Sequence, residues 1–286
     1  MRASSRLRAL IEGDGIVVAP GCYDGLSARL VEAAGFPAVY VTGGGMARST
    51  GIPDMGLISL SEIAARLAQI VDAIGVPAIA DMDTGYGNAL NARQAIKAFE
   101  RAGVAGFHIE DQTFPKRCGH YDDKSLVPTE ELCQKIRAIK DASEDPDTVL
   151  IARTDAIAVE GFDAAIDRMH AYMEAGADVA FVEAPTTEAE IEAVAERIPG
   201  PKLINMFLGA KTPLLPVSRL EEIGYKIVII PSDTQRAAIK AMQKVLETIK
   251  RDGDCSAMAD EMASFQDREA IVNTAHFVEI DQRYAS

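Results

Sequence analysis

One local device recurs along the chain and limits what it can fold into. Four times a helical stretch ends in an apolar residue and a glycine, and a strand-like run follows. These are Ala34-Gly35 before 36–42, Ala102-Gly103 before 104–110, Ala175-Gly176 before 177–183 and Ile223-Gly224 before 225–231. Glycine suits the left-handed residue that closes a helix. In each copy the last strand position lies seven residues beyond that glycine, and Gly75 before 76–81 is a shorter variant. The strands are nearly unbroken apolar runs, such as Val149-Leu150-Ile151-Ala152 and Ile227-Val228-Ile229-Ile230. Runs of this kind suit parallel strands buried on both faces. Helical patterns separate them at 26–34, 60–73, 91–102, 129–142, 162–175, 188–198, 217–223 and 234–249. Eight such units with no shift in composition predict a closed α/β barrel of the (β/α)8, TIM type over residues 1–250. An open doubly wound sheet is the alternative. Two more helical stretches, 257–263 and 265–278, lie past the eighth unit and predict a C-terminal helical extension over 251–286.

Composition excludes several function classes. Forty-three acidic residues outnumber 29 basic ones, giving a net charge of −14. That argues against nucleic acid and anionic membranes, both of which need a basic face. No run of 18 apolar residues exists to cross a bilayer. The basic N-terminal stretch is interrupted by Glu12, Gly13 and Asp14 and lacks the apolar core of a signal peptide. Cys22, Cys118, Cys133 and Cys255 show no paired spacing, so neither a zinc site nor a disulfide framework is implied, and a reducing cytoplasm is expected.

In a barrel of this type the active site lies at the C-terminal ends of the strands. There the chain reads Thr42-Gly43-Gly44-Gly45, Asp81-Met82-Asp83, His108-Ile109-Glu110-Asp111, Arg153-Thr154-Asp155, Glu183, Asn205 and Pro231. Polar groups that are costly to bury recur at nearly every strand end, which points to an enzyme. Period-two alternation places Asp81 and Asp83 on one side, with Glu110 on the next strand. Three carboxylates together repel one another unless a cation sits among them. An oxygen-rich set suits Mg²⁺, or Mn²⁺, and Asp54 could join through water. Helix caps and surface salt bridges are the plainer reading of these acids. Gly43-Gly44-Gly45 offers N–H groups to a carboxylate or an oxyanion, or is simply a tight turn. Arg153 can fork onto a substrate carboxylate, bridge Glu183 or Asp155, or do both. Asp111 and Asp155 read as loop-holding residues. Gly85-Tyr86-Gly87 lacks a third glycine, which argues against a nicotinamide cofactor. In Lys116-Arg117-Cys118-Gly119-His120, two cations and a histidine flank a thiol and favour its ionised form, so Cys118 is a candidate proton donor or acceptor. His108 is either a hydrogen-bonding support or a substrate ligand. His120 travels with the Cys118 loop, while His170 and His276 lie on helical stretches and read as structural.

That five-residue run resembles the signature of the isocitrate lyase and phosphoenolpyruvate mutase superfamily. The similarity extends over residues 20–29, 81–88, 108–112, 152–156 and 182–185, and it is strongest with the short-chain carbon–carbon lyases. The resemblance implies Mg²⁺-dependent cleavage of a 2-hydroxy-2-methyl di- or tricarboxylate, of the 2,3-dimethylmalate or 2-methylisocitrate kind. The products are pyruvate and a second carboxylate such as propionate or succinate. It implies Asp83 as metal ligand, with Asp81, Glu110 and Asp54 acting directly or through water. Thr42, Gly43, Gly44 and Arg153 would hold the oxo-acid half, Tyr40 would be the base and Cys118 the acid. His108, Lys116, Gly119, His120, Glu183, Asn205 and Pro231 complete the substrate contacts.

Some features depart from the family pattern. Met206-Phe207-Leu208 stands where related lyases usually carry a Glu, so a less charged substrate gains weight. Pro231 replaces the Ser of oxaloacetate-hydrolysing relatives, and Cys118 argues against phosphorus chemistry. Ser232-Asp233-Thr234-Gln235 departs from a more apolar run. The alternatives are an oxaloacetate decarboxylase or hydrolase, a phosphonate-type mutase, or a non-catalytic carboxylate-binding barrel. Phe265, Ile271, Val272, Ala275 and Val278 form a roughly helical apolar stripe. The resemblance implies that this helix swaps between subunits of a homotetramer, a dimer of dimers.

Overall fold

The computed structural model describes residues 1–117 and 124–285; Cys118, Gly119 and His120 fall outside them. Eight parallel strands close into a barrel in sequence order, and the last pairs back onto the first. They are β1 (Val17–Cys22), β2 (Val39–Val41), β3 (Ala78–Asp81), β4 (Gly106–Glu110), β5 (Val149–Thr154), β6 (Val179–Val182), β7 (Lys202–Asn205) and β8 (Ile227–Ile230). The outer layer holds α2 (Gly25–Ala33), α4 (Leu60–Asp72), α5 (Ala89–Arg101), α6 (Thr129–Ala142), α7 (Phe162–Glu174), α8 (Glu188–Arg197), α9 (Val217–Ile223) and α10 (Asp233–Asp252). Gly35, Gly103, Gly176 and Gly224, the four punctuating glycines, all have positive φ between 81° and 114°. The repeat seen in the sequence is therefore a helix stop with a backbone cause. At the other ends, Asp24, Ser59 and Asn88 each form a reciprocal capping box that starts α2, α4 and α5.

Two elements were not expected. Helix α1 (Ala3–Glu12) lies against the lower end of the barrel, where Leu7 and Ile11 join the apolar cluster that fills the lumen with Ile79, Ile151, Phe181 and Ile229. A second, larger cluster lies between the strands and the helix ring. The other is α3 (Gly43–Ser49), which begins in the triple glycine. Neither the tight turn nor the extended N–H run expected there is the whole account. Thr42 caps α3, its Oγ1 accepting from Gly45 N at 3.2 Å. Past the barrel come a 3₁₀ segment (Ser256–Glu261), α11 (Phe265–Ile271) and α12 (Thr274–Tyr284). The stretch read as one helix over 265–278 breaks at Asn273, which adopts φ 56°. Neither α11 nor α12 has a buried residue, and Phe265 and Phe277 are 70 % and 60 % exposed. No helix among the described residues is long and apolar enough to cross a membrane.

Candidate active site

Alternation along the strands turns the lumen from apolar to polar at one level. Ile79 is followed two positions on by Asp81, Ile151 by Arg153, Phe181 by Glu183 and Leu203 by Asn205, while His108 is followed by Glu110. Side chains two apart on a strand share a face, so the upper layer of the barrel becomes a ring of buried polar groups. Above it opens a cavity of about 460 Å³ lined by Tyr40, Thr42, Gly44, Asp54, Asp81, Lys116, Arg153, Glu183, Asn205 and Pro231, among others. Ten residues expected at the site from sequence thus converge on one cavity.

Asp81 and Asp83 do not converge by strand alternation, because β3 ends at Asp81. Asp83 sits in the following turn with φ 48°, a strained value for a residue with a side chain, and its N–H donates to Asp81 Oδ1 at 3.0 Å. The turn, not the pleat, gathers the two carboxylates. Lys116 is buried among them, its Nζ 2.6 Å from Asp54 Oδ1 and 2.9 Å from Asp83 Oδ1. A distinct trio lies deeper. One ligand atom each from Asp81, His108 and Glu110 falls within 4.8 Å of the others. Glu110 Oε1 is buried there without a hydrogen-bond partner. Burial first, then Asp155, pushes the Glu110 carboxyl well above its usual range. A cation beside it would remove that penalty, so these residues fit a hard divalent ion held by oxygen.

Asp81 and Asp83 have opposite environments. Burial would raise Asp81, but His108, Lys116 and Arg153 outweigh it and hold the group at about 2. Asp83 is driven by burial up to about 7 despite Lys116. His108 is fully buried and pushed down to about 4, so its imidazole is neutral near pH 7. Its Nε2 lies 2.7 Å from Tyr40 Oη and 3.4 Å from Asp81 Oδ1. Burial, with Asp81 close by, raises the Tyr40 phenol well above its usual value, so Tyr40 carries its proton. With Tyr40 donating to Nε2, the ring proton is on Nδ1, which meets no partner. Tyr40 can act as the expected base only if His108 accepts its proton.

Arg153 is held from below. Its Nε and Nη2 fork onto Asp155 at 2.9 and 3.1 Å, Nε lies 3.4 Å from Glu110, and the guanidinium stacks 5.2 Å from the Phe181 ring centre. The expected bridge is therefore to Asp155. Asp155 also accepts from Lys124 Nζ at 2.8 Å. Asp111 accepts from Thr154 Oγ1 at 2.6 Å and from Asp155 N at 2.9 Å, locking the β4 and β5 ends together. Both acids hold the site's frame. Gly43 and Gly44 matter for space. A Cβ on Gly43 would stand 2.6 Å from Asp81 Oδ2, and one on Gly44 2.8 Å from both Asp54 Oδ2 and Arg48 Nη1.

Residues that the sequence did not single out also line the cavity, Arg48, Arg236 and Ile239, together with Gln235 from the run that departs from the family pattern. Gln235 Nε2 donates to Gly45 O at 2.9 Å, tying α10 to α3. Arg48 follows the triple glycine by one helical turn, the only signal that could have marked it. The proposed loop acid Cys118, with Gly119 and His120, lies outside the described residues. Cys22 and Cys133 are buried, in keeping with packing roles.

This fold and site define a (β/α)8-barrel enzyme with a cavity lined by charged groups at the C-terminal ends of its strands. The sequence model described as Phosphoenolpyruvate phosphomutase matches residues 7–250. The chain belongs to that family, within the phosphoenolpyruvate mutase and isocitrate lyase superfamily. It is 41 % identical to 2,3-dimethylmalate lyase of Eubacterium barkeri over 287 residues, covering 100 % of this chain and 99 % of that one. It is 44 % identical to 2-methylisocitrate lyase of Aeropyrum pernix over 256 residues, 90 % of this chain and 82 % of that one. A solved oxaloacetate acetylhydrolase, in complex with 3,3-difluorooxalacetate, superposes with a TM-score of 0.94 at 33 % identity, covering 99 % of this chain and 97 % of that one.

Proposed function

We infer that this protein is a Mg²⁺-dependent carbon–carbon lyase that cleaves a 2-hydroxy-2-methyl dicarboxylate to pyruvate and a second carboxylate, with 2,3-dimethylmalate as the leading substrate. The observation that carries this reading is a cavity lined by Asp81 and by a preset guanidinium, Arg153, with the buried Glu110 carboxyl next to both. Asp81 and Glu110 would hold the cation, while Asp83, expected from the family resemblance as its ligand, has Oδ1 2.9 Å from Lys116 Nζ and would act with Asp54 through water. When bound, it supplies Lewis-acid stabilisation to the oxygens of the oxo-acid half. Arg153 and the Gly43 and Gly44 N–H groups bind that half's carboxylate.

Tyr40 takes the proton of the 2-hydroxyl while passing its own to His108 Nε2. The C2–C3 bond then breaks, its electron pair moving onto C3 and the adjoining carboxylate. The Cys118 thiol donates its proton to C3. Glu183 and Asn205, bonded to each other at 3.4 Å, wall the cavity opposite the acids. Exposed Leu208, with Phe207, presents an apolar wall where a third carboxylate would need a polar one.

Pyruvate should be released from 2,3-dimethylmalate, and more slowly from 2-methylisocitrate, when Mg²⁺ is present. Cys118→Ser should lower kcat by at least about a hundredfold. No pyruvate from either substrate overturns the lyase reading. The likeness to oxaloacetate acetylhydrolase makes oxaloacetate the next substrate to try. We also propose a homotetramer in which residues 251–286 dock on a second copy, supported by the exposed Phe265, Phe277 and Val278. Light scattering should give about four times 30.6 kDa, and a monomer at micromolar concentration would refute the assembly.

A further inference from the structure

Four cationic side chains among the described residues line the cavity: Arg48, Lys116, Arg153 and Arg236. Three are engaged. Lys116 bridges Asp54 and Asp83, and Arg153 forks onto Asp155. Arg236 donates to Leu208 O and lies 3.5 Å from Asp233. Arg48 is exposed, and its guanidinium makes no hydrogen bond or ion pair among the described residues. Its position is nonetheless defined. Nη1 stands 2.8 Å from where a Cβ on Gly44 would be, so the absence of a side chain at Gly44 lets the guanidinium lie over the start of α3. The neighbouring Asp54 has its Oδ1 taken by Lys116.

A substrate with two carboxylates brings two negative charges into this cavity. Arg153 and the glycine N–H groups account for one. The geometry points to Arg48 as the anchor of the second, the carboxylate on the leaving half, and so as a residue that selects dicarboxylates. This rests on the lyase reading for which half is which, but not for the binding itself. The planar guanidinium suits bidentate capture of a carboxylate, and an uncommitted one loses no internal partner when it binds. Leu208 and Ile239, 63 % and 41 % exposed, also line the cavity and accommodate methyl substituents.

The test compares a non-cleavable dicarboxylate, 2-methylsuccinate, with pyruvate, which fills only the oxo-acid half. Binding of each to the full chain with Mg²⁺ is measured by calorimetry for wild type, Arg48→Gln and Arg48→Lys. Arg48→Gln should weaken 2-methylsuccinate by about tenfold to a hundredfold, the range for a charged hydrogen-bonded pair, and leave pyruvate within about twofold. Arg48→Lys should recover part of the loss. With 2,3-dimethylmalate, KM should rise more than kcat falls. Equal weakening of both ligands, or of neither, overturns the assignment. Wild type that binds 2-methylsuccinate through Arg48 yet releases no pyruvate from any 2-hydroxy acid would remove the lyase reading and leave the dicarboxylate anchor standing.

Discussion

Asp155→Asn tests the frame beneath the active site. Its carboxylate is fully buried and accepts three hydrogen bonds from cations: Arg153 Nε at 2.9 Å, Arg153 Nη2 at 3.1 Å and Lys124 Nζ at 2.8 Å. Asparagine keeps the volume, so no cavity forms, but it removes the charge and turns one oxygen into a donor that faces at least the Arg153 guanidinium. Removing one partner of a buried charge cluster costs about 3–5 kcal/mol. For a chain of this size each kcal/mol moves Tm by about 2–4 °C, so the variant should melt about 6–20 °C lower. The pH dependence is a sharper check. Burial alone would raise Asp155, but Arg153 and Lys124 hold it far below the usual carboxylate range. A carboxyl with a lowered native pKa contributes stability that is complete above its unfolded value, 3.8, and that fades as pH falls below it toward the native value. Urea unfolding followed by circular dichroism should therefore show the full gap between wild type and Asp155→Asn from pH 5 to 8. The gap should narrow below pH 4. A loss under about 1 kcal/mol at pH 7, or a gap that stays constant down to pH 3, would refute the reasoning.

Leu7 is fully buried at the base of the lumen, and Leu7→Ala should cost about 2–5 kcal/mol in urea unfolding with kcat unchanged; a cost near zero would mean α1 is not a plug. Glu110→Gln should weaken Mn²⁺ binding, read by electron paramagnetic resonance, by at least about tenfold, since even residues that only support a metal ligand change affinity by 10–100-fold. Unchanged affinity would place the cation elsewhere. Gly44→Ala should fold but bind pyruvate at least about tenfold more weakly, because its methyl would meet Asp54 and Arg48 at 2.8 Å; unaltered binding would show that the oxo-acid half docks away from α3.

Much of the architecture could be read from local pattern alone. The glycine stops, the apolar runs and their spacing are set by helix geometry and strand burial, which act within a few residues. They determined the eight units and the level at which Asp81, Glu110, Arg153, Glu183 and Asn205 appear. Sequence was also enough to place the chain in its family, since the motifs at the strand ends are short and contiguous. What it could not supply were pairings between groups far apart in the chain. That Lys116 would enter the acid cluster, that Lys124 would reach Asp155, and that Leu7 would fill the barrel floor depend on contacts across dozens of residues. The same holds for the role proposed for Arg48, which is argued from the engagement of the other cations lining the cavity among the described residues. Ion pairs form wherever tertiary folding brings charges within a few ångströms in a low-dielectric interior, and no sequence period encodes that distance. The turn that brings Asp83 back to Asp81 shows the limit from the other side: the alternation argument named the right residues, but only the folded backbone, at φ 48°, decided how they meet.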